Sequence, residues 1–273
     1  MTSIRAHPIR GGVRLGDVDH AELDRWVDVL VERVGLDRFQ SIARDHADTG
    51  FGRHKRHYLD LRQMLGKDVY DLLLLGLTAS RPLAILDIGT GPASFAYVGR
   101  QFGHRVVATE REDDESLLWS WWTASAEEKR ERRGSMDRPV LEQWLRSRPS
   151  LYGDLAKLFG VERVFWTVAQ GPAPDLGMFD LVAARDLYFN HVAERETRVW
   201  TPAEWRVFAA NQLPLMVPEG WLFLSWPDTP DAGMNDIAIE WRVAGASIRQ
   251  RELLASRRDV IAFASGHAAE RGT

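Results

Sequence analysis

Cysteine is absent from this chain of 273 residues, which excludes disulfide bonds, thiolate metal sites and a cysteine nucleophile. Long apolar runs are also missing. The longest, residues 72–77, falls far short of the roughly 20 residues that span a bilayer. Residues 1–12 contain arginines but no apolar signal core. We therefore expect a cytoplasmic protein with no membrane partner.

Neither sign of charge dominates the composition. Lysine and arginine number 35 against 39 acidic residues, which gives a formal net charge of −4. Such a balance provides no general attraction for nucleic acid, so we expect no nucleic-acid partner. Hydrophobic residues make up 45% and charged residues 27%, as is ordinary for a globular protein. The length is sufficient for a full α/β core.

The most informative segment is a glycine-rich turn between two apolar stretches. Residues 83–88 form an apolar run without polar alternation, which predicts a parallel strand covered on both faces. Gly89 and Gly91 follow, and they permit a tight turn and close approach of a ligand to the backbone. Helical spacing over residues 94–102 predicts a helix, with Pro92 suited to its first position. Strand, turn and helix together predict a nucleotide pocket.

Two acidic residues indicate which nucleotide the pocket takes. Asp87 lies at the carboxyl end of the first strand, where it repels a pyrophosphate and attracts a cationic amino-acid group. A dinucleotide fingerprint requires glycine or alanine where Ser94 stands. Glu110 ends the next predicted strand and can accept hydrogen bonds from both ribose hydroxyls. NAD enzymes also place an acid there, so Glu110 indicates a ribose site without identifying the cofactor. Asp87 is the residue that disfavours a dinucleotide.

The pattern Asp87-x-Gly89-x-Gly91-x-Ala93 resembles the first motif of class I S-adenosylmethionine-dependent methyltransferases. Many members carry a third glycine where Ala93 stands. The resemblance extends from about residue 83 onward. It implies S-adenosylmethionine as the cofactor and a Rossmann-like, seven-stranded, mostly parallel sheet whose last strand is antiparallel. We expect these cofactor-binding residues: Asp87, Gly89, Thr90, Gly91, Glu110, Arg111, Ala169, Gln170, Ala184, Arg185 and, covering the methionine end, Tyr58.

The chain divides into a helical preface and a strand–helix alternation. We predict strands over residues 83–88, 105–110, 164–168, 179–184, 221–226, 246–249 and 260–263. Residues 1–80 form a helical extension or cap, and residues 81–267 form the core. Within the preface we expect one helix over residues 55–65 and another over residues 67–78. A helical insertion over residues 113–160, rich in tryptophan, separates the second and third strands.

Catalytic candidates follow the fourth predicted strand, where a methyl acceptor would lie. His191 has the intrinsic pKa that suits a general base, and Tyr188 and Asp186 are the other candidates. A structural or surface histidine is the simpler alternative for His191. For Arg185 and Asp186, a local ion pair with no role in the site is the alternative. We predict no metal site, because acids near a helix N-terminus explain the acidic run at residues 110–115.

Three functions remain open on the sequence. The first is an S-adenosylmethionine-dependent methyltransferase with a small-molecule or sugar-like acceptor. The second is a cofactor-binding but inactive scaffold, with the tryptophan-bearing insertion as its interaction surface. The third, disfavoured by Asp87 and Ser94, is an NAD(P)-dependent oxidoreductase. A homodimer is left open.

Overall fold

The computed structural model describes residues 15–48, 52, 56–110, 150–166, 174–185, 190–193, 196–226 and 232–266. The α-helices within these ranges are α1 (His20–Val34), α2 (Leu36–Ala47), α3 (Leu61–Leu74), α4 (Ser94–Gln101), α5 (Leu151–Leu158), α6 (Pro202–Gln212), α7 (Ala232–Ala244) and α8 (Arg257–Ser265). The strands are β1 (Ala84–Ile88), β2 (Arg105–Glu110), β3 (Arg163–Phe165), β4 (Phe179–Ala184), β5 (Asn190–Ala193), β6 (Glu196–Val199), β7 (Met216–Ser225), β8 (Ser247–Arg249) and β9 (Glu252–Ser256). Short 3₁₀ turns cover Arg56–Leu59, Leu77–Ala79 and Leu213–Leu215.

Seven of these strands form one sheet in the order β3-β2-β1-β4-β7-β9-β8. The first five in that order pair in parallel, and β9 runs antiparallel to both of its neighbours. Strand order reverses beside β1, where β2 lies on one side and β4 on the other. The predicted fold class, a Rossmann-like sheet with an antiparallel last strand, is confirmed.

Helices cover both faces of the sheet, as the apolar character of β1 requires. Ile85 packs into a core that includes residues of α1, α3, α4 and α5. Leu86, its neighbour in the strand, packs into a second core with residues of α6, α7 and α8. Successive side chains of a strand point to opposite faces, so a strand buried on both sides has no polar alternation.

The helices of the preface form where apolar residues recur at helical spacing. Val27, Leu30 and Val34 are the buried stripe of α1, and Asp19 caps its N-terminus. The expected break between helices near Gly66 is wrong, because α3 runs unbroken from residue 61 to residue 74. Glycine costs a helix about 1 kcal/mol relative to alanine, which is small beside the burial of the apolar residues around it.

The prediction of a strand over residues 260–263 is also wrong. These residues lie within α8, and the last strand is β9. Ser256 and Asp259 form a capping box that starts the helix. Val260 and Phe263, three residues apart, are the buried positions. The burial of these two side chains follows the helical period, although the four-residue apolar run itself shows none.

Two other strands differ from the prediction by more than one residue at an end, since β3 covers only residues 163–165 and β7 begins at Met216. Of the predicted insertion over residues 113–160, residues 113–149 lie outside the described residues, and α5 occupies residues 151–158. The division into a cap and a core stays a prediction. Among the described helices, none is both long and apolar enough to cross a membrane.

Candidate functional site

The glycine turn connects β1 to α4 in a tightly wound conformation. Gly89, Gly91 and Ala93 all have positive φ, at 66°, 52° and 62°. The N–H of Thr90 donates to the carbonyl of Thr109 at 2.9 Å, which ties the loop to β2. The left-handed Ala93 delays the helix to residue 94, so Pro92 is not its first residue as predicted. Ala93 occupies a conformation that glycine adopts without strain.

Asp87 is buried at the base of this loop, with 2% of its surface exposed. Its Oδ2 accepts a hydrogen bond from the Thr90 hydroxyl, and its carbonyl accepts one from the Thr109 hydroxyl. Burial raises the pKa of the Asp87 carboxyl to about 6, although Arg185 and the Thr90 hydroxyl oppose that rise. Burial therefore makes ionisation of the Asp87 carboxyl less favourable than it is in water.

Glu110 meets the same loop from the end of β2. Its Oε2 accepts a hydrogen bond of 2.7 Å from the N–H of Gly91, and the residue is 4% exposed. Parallel pairing of β1 and β2 places the two strand ends side by side. Asp87 and Glu110 are thus brought to one edge of the sheet, on either side of the glycine turn.

Two tyrosines cover the glycine turn. The ring of Tyr152, from α5, lies so close to Gly91 that a Cβ added there would be 3.3 Å from its Cζ. Tyr58 packs edge-on against Tyr152, with ring centroids 5.4 Å apart. Tyr58 therefore lies one side chain away from the loop. The absence of a side chain at Gly91 leaves room for an aromatic ring of the protein itself.

Arg185 directly follows β4 and is buried against α3. Its Nε donates to Asp71 at 2.7 Å, and a terminal nitrogen donates to Asp68 at 2.5 Å. The guanidinium carbon lies 3.9 Å from the centre of the Phe95 ring, a cation–π contact. The ion-pair partners of Arg185 among the described residues are therefore Asp68 and Asp71. The sequence had suggested Asp186, which lies outside the described residues. The side chain is 9% exposed and each carboxylate 5%.

Burial and neighbouring opposite charges together determine the protonation of Arg185 and of the carboxyls around it. Burial alone lowers the pKa of Arg185, but Asp71, Asp68 and Asp87 outweigh burial and raise it. Burial raises the pKa of Asp68 despite the attraction of Arg185. The guanidinium is therefore permanently charged, whereas the carboxyls of Asp68 and Asp87 bind protons more tightly than exposed ones do.

The other predicted site residues divide into two sets. Ala184 is fully buried and pairs with Ile88, next to the glycine turn. His191 lies in β5, whose backbone pairs with β6 opposite Arg198 in a separate two-stranded hairpin. The remaining predicted residues lie outside the described ranges: Arg111, Ala169, Gln170, Asp186 and Tyr188.

Sequence reasoning missed Asp68, Asp71 and Tyr152. The first two are acidic residues three positions apart in a helix whose other buried positions are all apolar. Charged residues at core positions of a helix are rarely buried without a partner. The two aspartates at such positions could therefore have predicted a buried ion pair. Tyr152 gave no such signal. In the described part of the chain, no group of histidines and acids is arranged to hold a metal ion.

No protein-family model matches this sequence, and no curated protein does so significantly. Solved structures with a similar fold include the ribosomal protein L11 methylase of Lactobacillus delbrueckii subsp. bulgaricus, at 15% identity and TM-score 0.35 over 71% of this chain and 75% of that one. A TehB-like SAM-dependent methyltransferase of Corynebacterium glutamicum matches at 14% identity and TM-score 0.38 over 71% and 85%.

The glycopeptide N-methyltransferase MtfA matches at 14% identity and TM-score 0.34, over 61% of this chain and 55% of its own. This chain thus matches little more than half the length of MtfA. Identities and TM-scores at this level assign no function. The sheet order and the contacts of the glycine turn are therefore the basis for the assignment that follows.

Proposed function

We propose that this protein is an S-adenosylmethionine-dependent methyltransferase that acts on a small-molecule or sugar-like acceptor. One observation carries the proposal: buried Asp87 and Glu110 end adjacent parallel strands and flank a left-handed glycine turn at the point where strand order reverses. Ligands of open α/β sheets bind in that crevice, outside the carboxyl ends of the strands.

The charge of the site fits a cationic ligand. Asp68, Asp71 and Asp87 surround one guanidinium. Burial is the main cause of the raised pKa of Asp87, and the charges of Asp68 and Asp71 raise it further. S-adenosylmethionine carries a positive sulfonium and a positive amino group. A pyrophosphate, by contrast, adds two negative charges beside these carboxylates, which disfavours a dinucleotide.

Each proposed contact follows from the position of the residue. Glu110 accepts hydrogen bonds from the ribose hydroxyls, and Asp87 with the turn around Gly89, Thr90 and Gly91 receives the amino-acid end. We further propose Ala184 and Arg185 beside that end, and Tyr58 over it. For adenine we retain Ala169 and Gln170, and for the cofactor in general Arg111. All three lie outside the described residues, so these assignments come from the sequence alone. When bound, the cofactor supplies an electrophilic methyl group.

The acceptor is proposed to lie beyond the end of β4. Asp186, Tyr188 and His191 all belong to the segment that leaves that strand. A hydroxyl acceptor must lose its proton, and we propose His191 as the base that accepts it. Alignment of the acceptor with the methyl group, and exclusion of water, supply much of the remaining rate.

Calorimetry tests the cofactor assignment directly. Titration with S-adenosylmethionine should give saturable binding, whereas NAD and NADP should give none. Binding of NAD in place of S-adenosylmethionine would overturn the proposal. A radiolabelled methyl donor, incubated with fractionated metabolite extracts, should label a small molecule. Cofactor binding without any labelled product would favour the inactive scaffold.

The role of His191 has its own test. His191→Ala should leave the affinity for S-adenosylmethionine nearly unchanged, because the residue is proposed to face the acceptor. Turnover should fall by roughly 10²–10⁴-fold, the usual contribution of a general base. The wild-type rate should rise with pH through the imidazole range, and the variant should lack that rise. Full activity of the variant would move the proposed role to Tyr188 or Asp186.

A further inference from the structure

Arg185 is a buried cation at the edge of the sheet where we propose that the cofactor binds. Ala183, two residues earlier in the chain, is the partner of Asp87 in the parallel ladder between β4 and β1. The guanidinium opposes the rise in the pKa of the Asp87 carboxyl, and Asp87 in turn raises the pKa of Arg185. Each charge acts on the other, so the two groups lie close together. One positive and one negative group therefore border the same end of the crevice.

One nitrogen of this guanidinium has donors to spare. A guanidinium carries N–H groups on Nε, Nη1 and Nη2. Nε donates to Asp71 and Nη2 donates to Asp68, whereas Nη1 makes no hydrogen bond within the described part of the chain. The side chain is nine-tenths buried, yet Nη1 is not fully enclosed by protein. A ligand in the crevice can therefore reach the N–H groups of Nη1.

The position of Nη1 is fixed before any ligand binds. Two ion pairs and the Phe95 ring, whose centre lies 3.9 Å from the guanidinium carbon, hold the guanidinium plane in place. Its positive charge is permanent, because the opposite charges around it raise the pKa of Arg185. A buried donor without an acceptor costs free energy, and a guanidinium binds carboxylates especially well. The group that fits Nη1 is therefore an anion.

We propose that Arg185 binds the α-carboxylate of S-adenosylmethionine through Nη1, while Asp87 binds the α-ammonium. The inference rests on the proposed function. The carboxylate is the only anionic group of this cofactor, so it is the group that an anion-binding donor selects. Glu110, the proposed ribose acceptor, lies on β2, and β1 separates β2 from β4. The ribose and the carboxylate are thus placed on opposite sides of the glycine turn.

Arg185 thereby determines specificity for a cofactor that keeps its carboxylate. A ligand carboxylate beside Asp68, Asp71 and Asp87 meets like charges, and the contact with Nη1 is what offsets that repulsion. An S-adenosyl compound without the carboxylate leaves Nη1 without its acceptor. Such a compound should bind more weakly, although it carries more net positive charge.

Decarboxylated S-adenosylmethionine provides a test that needs no variant, because it keeps the adenosine, the sulfonium and the amine and lacks only the carboxylate. Calorimetry on the full chain should show that it binds roughly 10–100-fold more weakly than S-adenosylmethionine, the usual range for one hydrogen bond between charged groups. Equal or tighter binding of the decarboxylated compound would overturn the inference, since an acidic site without an anion contact favours the more cationic ligand. Failure of both compounds to bind would instead overturn the proposed function.

A matched pair of variants then assigns the effect to Arg185. Arg185→Lys keeps the charge but replaces the planar fork by one ammonium, so the ratio of the two affinities should fall by about tenfold. Lys67 is another cation close to Asp68 and Asp71, and Lys67→Met should leave the ratio unchanged. Thermal unfolding shows whether each variant is folded.

Two results would count against Arg185. The first is an unchanged ratio in folded Arg185→Lys protein. The second is a ratio that is lost in folded Lys67→Met protein, which would assign the carboxylate to Lys67. The second result is decisive even where Arg185→Lys does not fold, because it depends only on Lys67→Met and the wild type.

Discussion

The backbone N–H of Gly91 donates a hydrogen bond of 2.7 Å to Oε2 of Glu110, and the contact is buried. It joins the glycine turn after β1 to the end of β2. Glu110, which we propose as the ribose acceptor, therefore also fixes the conformation of the turn. Variants at this position should affect folding and binding to different degrees, depending on whether an acceptor remains.

Replacement of Glu110 separates these two effects. Glu110→Ala leaves the N–H of Gly91 without its acceptor, and we expect a loss of about 1–3 kcal/mol in the free energy of unfolding. Affinity for S-adenosylmethionine should fall by roughly 2–4 kcal/mol, because two charge-assisted hydrogen bonds are lost. Glu110→Gln keeps an acceptor and should restore stability more than affinity. Unchanged affinity in the folded alanine variant would rule out the ribose contact.

Asp87 should destabilise the folded protein at neutral pH. Its pKa of about 6 exceeds the ordinary value of 3.8, so the folded state binds a proton that the unfolded state has released. Stability therefore falls as pH rises from about 4 to 6 and stays lower above 6. A difference of about two pKa units corresponds to roughly 3 kcal/mol.

Asp87→Asn removes that effect and keeps an oxygen for the Thr90 hydroxyl. At pH 8 we expect the variant to be more stable than wild type by roughly 1–3 kcal/mol in urea unfolding. At pH 4 the two proteins should be nearly equal. The variant should nevertheless lose most of its affinity for S-adenosylmethionine, because the carboxylate that attracts the cation is gone. An Asp87→Asn protein less stable than wild type at pH 8 would show that the ionised Asp87 carboxyl does not destabilise the fold.

Local sequence patterns predict the centre of this fold well. The bounds of β2 and β4 match the prediction, and β1 differs by one residue. These strands are buried on both faces, so an apolar run is enough to identify them. Once these strands were identified, the acid at the carboxyl end of each of the first two could be assigned to the site. Parallel strands bring their carboxyl ends to one edge of the sheet.

Contacts between distant parts of the chain could not be predicted. Arg185 pairs with Asp68 and Asp71, which are 117 and 114 residues away. No local pattern determines that α3 lies over the end of β4. The wrong strand at residues 260–263 has a different cause, since a run of four apolar residues shows no period. Only the capping box at Ser256 distinguishes a helix from a strand in this segment of the sequence.

The position of Tyr152 changes what a substitution of Gly91 would do. The sequence predicts close approach of a ligand to the backbone at this glycine, but the atoms nearest to an added Cβ belong to the Tyr152 ring. Gly91→Ala should destabilise the protein through left-handed strain of roughly 1–2 kcal/mol, plus about 1 kcal/mol for displacing the ring. Gly160 has a similar φ of 62°, and a Cβ there would meet nothing within 4 Å.

Gly160→Ala is therefore the matched control, because it adds the strain without the contact. Chemical denaturation should show the larger loss for Gly91→Ala. Combining it with Tyr152→Ala should remove the extra loss, measured against Tyr152→Ala alone. Equal losses for the two glycine variants would show that the ring moves aside without cost.

Arg185 should contribute more to stability than any exposed arginine of the chain. Arg185→Met removes the only described guanidinium that contacts Asp68 and Asp71, and it leaves two buried carboxylates uncompensated. Breaking such a buried pair costs about 3–5 kcal/mol. Arg62→Met breaks an exposed pair with Asp28 and should leave the urea midpoint almost unchanged.

The pH dependence shows whether uncompensated charge is the cause. Burial raises the pKa of Asp68, so protonation at pH 5 should relieve much of the deficit of Arg185→Met that is measured at pH 8. Adding Asp68→Asn and Asp71→Asn to Arg185→Met should also recover stability, because the two carboxylates that paired with Arg185 are then neutral amides. A deficit that is equal at both pH values, and is not recovered in the triple variant, would indicate lost packing against Phe95. In that case the guanidinium would stabilise the fold through its cation–π contact more than through its two ion pairs.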